Sequence, residues 1–277
     1  MLYLRNMLNK LLSFSGYQIC KKKTIGNLFE NLKNIKFDYK EKSRILHQLE
    51  KLNSLNISSL DEYKFLFDLI IEGNSKSQDL QDIKLLLLLK LKMNGYFMEF
   101  GADDGILNSN SYLLEHKFGW KGALIEPNPL IFNKLKKNRL KSHVYFDLIY
   151  STSGEKVNFI IAGQLSTISK YSALDNNFEY RKNTTIQTVE LSTISFSEFL
   201  TKINSPKEID FLSIDTEGSE FDILSSIDYN IYSIKVICVE HNNTDNKERI
   251  YNLMKLNHYE EIVFDINSID SFYIKNS

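Results

Sequence analysis

A carboxylate, two glycines and two adjacent aspartates crowd into the nine residues Phe97 to Gly105, FMEFGADDG. Glu99 closes an apolar run, and Gly101 and Gly105 then allow a tight turn and a close approach of a ligand to the backbone. The spacing is E-x-G-x-x-x-G, not the G-x-G-x-x-G that brings a pyrophosphate onto a helix N-terminus. Glu99, Asp103 and Asp104 would repel a pyrophosphate and suit a ligand carrying an ammonium and a sulfonium. Further on, ALIEPNP places Glu126 at the end of a second apolar run. A carboxylate there can accept two hydrogen bonds from ribose hydroxyls. Together, in strand–loop–helix–strand order, the two motifs make S-adenosylmethionine the best-fitting cofactor.

A third group follows a later apolar run. IDFLSIDTEGSEFDIL carries Asp215, Glu217, Gly218 and Glu220, and VICVEHNN carries Glu240, His241 and Asn242. Neighbouring strand ends lie about 5 Å apart, so Asp215 and Glu240–His241 can converge. His241 could act as a general base on a substrate hydroxyl. Asp215, Glu240 and His241 could instead hold Mg²⁺ and acidify a coordinated hydroxyl. All three could also be strand-end caps and solvated loop residues.

The elements that must position these groups change character along the chain. Residues 25–92 are helical in pattern, broken at GNSKS, and LLLLL at 85–89 reads as a buried helix. From residue 96, short apolar runs alternate with helical segments. Tyr96–Phe100, Ala123–Glu126, Val144–Ile149, Phe211–Asp215 and Lys235–Glu240 read as buried strands, the signature of a parallel sheet covered on both faces. The final EEIVFDINSIDSFYIK reads as a hairpin closing the sheet edge, and 163–183 as a long loop over the mouth of the site. Trp120 reads as helix–strand packing, and His116 and His143 as surface or boundary residues. Tyr171, Tyr180 and Arg181 fall in the long loop, where substrate contact and simple packing both remain open.

Composition narrows the class. With 277 residues, 43% hydrophobic, the chain can bury a full core. A net charge of −1 gives no bias toward nucleic acid. Its two cysteines lack metal-ligand spacing and fit a reducing compartment. No apolar run approaches the roughly 20 residues that span a bilayer. Residues 1–23 contain Arg5, Lys10 and Lys21–Lys23, no acidic residue, and leucines at helical spacing. That pattern is not a signal peptide. It is a basic amphipathic helix, either packed on the domain or lying on an anionic membrane surface. The expected location is the cytoplasm, at the inner membrane face if this helix lies on the membrane rather than on the domain.

SQDLQD (77–82), GYFMEFGADDGILNSNSYLLE (95–115), GWKGALIEPNP (119–129), IDFLSIDTEGSEFDIL (209–224) and VICVEHN (236–242) together resemble the FkbM family of S-adenosylmethionine-dependent methyltransferases. The resemblance implies a class I methyltransferase domain over 77–277, and the region over 1–76, read as helical from its pattern, lies outside it. It implies a Rossmann-like, doubly wound, mostly parallel seven-stranded sheet with an antiparallel last strand. The implied activity is methyl transfer to an oxygen of a sugar, glycan or polyketide-like acceptor. Carried over, the pattern makes Glu99, Gly101, Asp104 and Gly105 the cofactor loop, followed by Ser109 and Asn110. Glu126 would hold the ribose, and Asp215 with Glu217 would face the methyl group and acceptor. Gln81 and Asp82 would approach the amino-acid end of the cofactor, Asp147 the adenine, and Gly163 and Ser166 would lie over the active site. The rival readings are a non-catalytic cofactor-binding module in a glycan-assembly complex and an NAD-dependent oxidoreductase on the same sheet.

Overall fold

The computed structural model describes residues 39–276 apart from 53, 58, 266 and 267. The helix expected over 1–23 lies outside the described residues. The chain enters through α1 (Tyr39–Leu52), α2 (Leu60–Ile71) and α3 (Gln81–Leu88). Ser59 caps α2 by accepting from the Glu62 amide at 3.1 Å, satisfying a donor that the helix cannot. The run Leu85–Leu89 ends α3 as expected, with Leu85 and Leu86 fully buried.

The alternation then delivers β1 (Tyr96–Phe100), α4 (Tyr112–Lys117), β2 (Lys121–Ile125), α5 (Phe132–Asn138), β3 (His143–Tyr145), β4 (Leu148–Tyr150), β5 (Lys156–Ile161) and β6 (Thr167–Ile168). After these come α6 (Phe178–Thr184), β7 (Gln187–Ser195), α7 (Phe196–Lys202), β8 (Glu208–Ile214), α8 (Glu220–Ser225), β9 (Ser233–Glu240), α9 (Asn246–Leu256), β10 (Tyr259–Ile262) and β11 (Asp270–Lys275). Seven strands form one sheet in the order β10-β11-β9-β8-β1-β2-β3. All its pairings are parallel except those of β11, which runs antiparallel to both β9 and β10. This is the class I methyltransferase arrangement. The closing hairpin forms, but its last strand inserts beside β9 and leaves β10 at the edge.

Alternate side chains of the strands feed two cores, one on each face of the sheet. Phe97, Leu124, Phe211, Val236 and Phe272 pack with α1 to α4. Met98, Phe100, Ile125, Leu212, Ile214, Ile237 and Val239 pack against α7, α8 and α9. Ile45, Leu49 and Leu52 belong to the same cluster as Leu86 and Phe97, so the described entry helices share the core of the sheet. Trp120 is packed as expected, donating its indole N–H to the Lys92 carbonyl at 2.8 Å.

Two expectations need correction. Val144–Ile149 is not one strand: it breaks at Phe146–Asp147, β3 staying in the main sheet and β4 joining a second sheet of order β4-β7-β5-β6. That sheet has its own small core of Leu148, Tyr150, Val157, Phe159, Ile161 and Ile168, which gives the break its reason. The stretch 163–183 is also not an irregular loop. It holds β6, a 3₁₀ turn over Ser169–Tyr171 and most of α6.

Candidate active site

In the parallel register Phe100 is level with Ile125 and Ile214, and Ile214 with Val239. The next residue on each of these four neighbouring strands is Gly101, Glu126, Asp215 and Glu240. Four carboxyl ends therefore present a glycine and three carboxylates in one row, beyond the edge where open parallel sheets bind ligands. A cavity of about 160 Å³ opens on this row. Its other walls come from the β1–α4 loop, Asp147 to Ile149, and residues 163–168 as a roof. None of its lining residues is lysine, arginine or histidine.

Gly101 has φ +76°, and a side-chain carbon there would overlap the Asp215 carbonyl oxygen. Only glycine lets the β1 and β8 ends meet this closely. Glu99 lines the cavity, yet its oxygens are engaged by the loop: Asn110 N–H donates at 2.7 Å, Ser109 Oγ at 3.0 Å, and Ser111 Oγ also donates. The Asn110 side chain donates to Ser213 Oγ at 2.9 Å, while its Oδ1 is buried without a partner. Glu126 accepts from the Asp103 and Asn128 amides at 2.8 Å each. Burial pushes its carboxyl up to about 7 against those two bonds.

At the far end, carboxylate oxygens of Asp215, Glu217 and Glu240 all lie within 4.8 Å of one another. Burial first, then the charge of Asp270 and other neighbouring carboxylates, raises Asp215 to about 7. Burial and Asp215 raise Glu217 to about 8, and the same two causes hold Glu240 well above the usual range. Asp215 and Glu240 lie side by side in this cluster, so the two carboxyls titrate as a coupled pair.

Several expected residues stand elsewhere. His241 does not face the cavity but a small neighbouring one lined by Tyr171, Leu174 and Glu220. Its Nδ1 accepts from the Asn243 amide at 3.0 Å, and burial depresses its pKa to about 4. The ligand set Asp215–Glu240–His241 is therefore not assembled. The carboxylates that do converge include Glu217, which already accepts from Arg181 at 3.1 Å, so a Mg²⁺ ion would compete with a guanidinium.

Gln81 and Asp82 lie outside the cavity wall. Gln81 donates to Asp270 at 2.7 Å, and Asp82 accepts from Ser75, Ser77 and the Ile83 amide, holding the start of α3. Asp104 and Gly105 are also behind the wall, where Asp103 takes the lining position. Asp104 accepts from the Ile106 and Leu107 amides and from Lys134. Gly105 leaves room for Leu135 and Arg139, which a Cβ would meet at 2.5 and 2.6 Å. Asp147 is at the rim, ion-paired with Lys202 at 2.7 Å. Ser109, Asn110, Gly163 and Ser166 do line the cavity.

Arg139 escaped the motif reading, and Arg181, singled out in the long loop, proves to be packed there. Arg139, 1% exposed, donates to the Gly105 carbonyl and Ser109 Oγ at 3.1 Å, to Ser111 Oγ at 2.9 Å and to Glu115. It braces the cofactor loop from α5. Arg181, also 1% exposed, bonds mainly within the roof and crosses to Glu217. A usable signal was present: only five of the 34 basic residues are arginine, and the planar five-donor fork is what a lysine cannot replace.

The profile of the methyltransferase FkbM domain matches residues 99–269. This chain belongs to that family. As an FkbM methyltransferase domain, it is also similar in shape to an FkbM methyltransferase of Methylobacillus flagellatus KT (10% identity, TM-score 0.45, covering 84% of this chain and 60% of the other). An O-methyltransferase of Bacillus cereus solved with SAH gives 11% identity and a TM-score of 0.42 over 85% and 100% of the chains. A precorrin-6y C5,15-methyltransferase of Geobacter metallireducens GS-15 gives 12% and 0.42 over 74% and 92%. No curated protein matches the chain. Among the described residues no helix is long and apolar enough to cross a membrane.

Proposed function

We propose that this methyltransferase domain binds S-adenosylmethionine in the cavity and transfers its methyl group to a hydroxyl oxygen of a sugar, glycan or related small acceptor. The observation that carries the reading is the level row Gly101–Glu126–Asp215–Glu240 opening on a cavity without a basic side chain. A cationic nucleoside fits such walls, whereas the pyrophosphate of NAD does not.

Glu126 would accept from the ribose hydroxyls, its two backbone donors fixing the carboxylate in place. The unpartnered Asn110 Oδ1 would accept from the ammonium. When bound, the sulfonium supplies an already activated methyl donor, so positioning accounts for much of the acceleration. The chain's own chemical task is to orient the acceptor hydroxyl and receive its proton. Asp215, raised by burial to about 7 and set beside Glu217 and Glu240, is poised near neutral pH for that role. His241, neutral and turned into a separate cavity, takes no part in it.

Calorimetric titration with S-adenosylhomocysteine tests the cofactor site: micromolar binding by the wild type, weakened at least tenfold in Glu126→Ala, is the expected result. No binding by either protein would sink it. Formation of S-adenosylhomocysteine with a panel of hydroxylated acceptors tests turnover against a purely scaffolding role. The division at residue 77, the cytoplasmic setting and peripheral membrane contact through residues 1–23 belong to the same proposal. Co-sedimentation with anionic vesicles, lost on deleting 1–23, is the outcome that supports the membrane contact.

A further inference from the structure

The guanidinium of Arg181 uses every donor it has. Nε donates to the Leu165 carbonyl at 2.8 Å, and Nη1 to the Ser172 carbonyl at 2.6 Å and to Asp175 Oδ1 at 3.2 Å. Nη2 donates to Asp175 Oδ2 at 2.7 Å and to Glu217 Oε2 at 3.1 Å. Four of the five bonds stay inside the segment 163–184; the fifth crosses to the loop after β8. Two further contacts share that crossing: Thr167 Oγ1 donates to the Glu217 carbonyl at 2.7 Å, and the Tyr171 side chain lies so close to Gly218 that a Cβ there would meet it at 2.7 Å. Glu217 itself has φ +59°, a left-handed conformation uncommon for a non-glycine residue. The segment so fastened supplies Gly163, Gln164, Leu165, Ser166 and Ile168 to the cavity.

We propose that Arg181 is a positioning residue acting through Glu217: it folds 163–184 into one unit and docks that unit onto the acceptor end, so that roofing the cofactor and orienting the Glu217 side chain are one event. The idea rests on the cofactor reading above for its second consequence, slow release of S-adenosylhomocysteine, but not for its first, protection of the roof. Arg181→Lys keeps the charge but has three donors for five acceptors. Glu217→Asn tolerates the left-handed backbone, leaves the four bonds inside the roof, and removes the crossing carboxylate.

The test combines hydrogen exchange of the unliganded protein with stopped-flow dissociation of S-adenosylhomocysteine, on wild type, both single variants and the double variant. In Glu217→Asn, amides of 163–184 should exchange at least tenfold faster than in wild type while those of β1 and β8 are unchanged. Both single variants should release S-adenosylhomocysteine about tenfold faster, and the double variant no faster than the quicker single, because the two residues form one connection. Wild-type exchange and dissociation rates in Glu217→Asn would overturn the proposal, as would single effects that simply multiply. If the wild type bound no S-adenosylhomocysteine, the cofactor reading would fail by itself and the exchange of 163–184 would still decide the role of Arg181.

Discussion

At the residue scale, chemistry in this site is set by carboxylates whose surroundings differ. Glu99 spends its oxygens on the loop, Glu126 accepts from two backbone amides at the cavity wall, and Asp215 lies against Glu217 and Glu240. Asp215→Asn should therefore keep S-adenosylhomocysteine affinity within about threefold while lowering turnover on a true acceptor by two orders of magnitude or more. Equal loss of both would make Asp215 a structural residue instead. Gly101→Ala asks a sharper question of the backbone. With φ at +76° and the Asp215 carbonyl in the way, the variant should lose several kcal/mol of stability and melt well below the wild type by circular dichroism.

At the element scale, the β1–α4 loop is held in shape by a buried arginine rather than by its glycines alone. Arg139 follows the lysine-rich end of α5 and reaches Glu99, Glu115, Ser109 and Ser111. Removing one partner of such a buried network leaves the others unpaired, at about 3–5 kcal/mol. Arg139→Met should lower the unfolding free energy from denaturant titration by that amount, and Arg139→Lys should recover only part of it because three donors cannot serve the fork's acceptors. Full recovery by lysine would mean that charge, not geometry, matters there. The second sheet is the element that the pattern of apolar runs did not disclose. Its strand β7 alternates only weakly and β4 is three residues long, so neither stands out until the main sheet supplies a surface to pack on.

For the whole molecule, buried acids make stability depend on pH in an unusual direction. Asp82 at about 6, Glu126 and Asp215 at about 7 and Glu217 at about 8 all lie above their ordinary values. The folded state thus holds protons that the unfolded chain has released, and stability falls as pH rises through these values. His241, depressed to about 4, works the other way, adding stability as pH rises from 4 to its ordinary 6.5. Above pH 6.5 that opposing contribution is exhausted. The melting temperature of the cofactor-free protein should decline between pH 6.5 and 8.5, and Asp215→Asn should flatten the decline. A melting temperature rising over that range would contradict the burial of these carboxyls.

What the sequence by itself determined is the local grammar: strands where short apolar runs end in Glu99, Glu126, Asp215 and Glu240, glycine where the backbone turns left-handed, and the family from the order of those motifs. These are properties of neighbouring residues, and they survive without knowing what lies opposite. Tertiary structure alone decided which side chains share a space. It turned His241 away from Asp215 and substituted Glu217, set Gln81 and Asp82 behind the wall, exchanged Asp104 for Asp103 at the lining, and broke 144–149 between two sheets. It also brought Arg139 to Glu115 and Arg181 to Glu217, 24 and 36 residues away in the chain. A one-residue step along a strand or turn reverses where a side chain points, and no motif spacing carries that information until the register across the sheet is known.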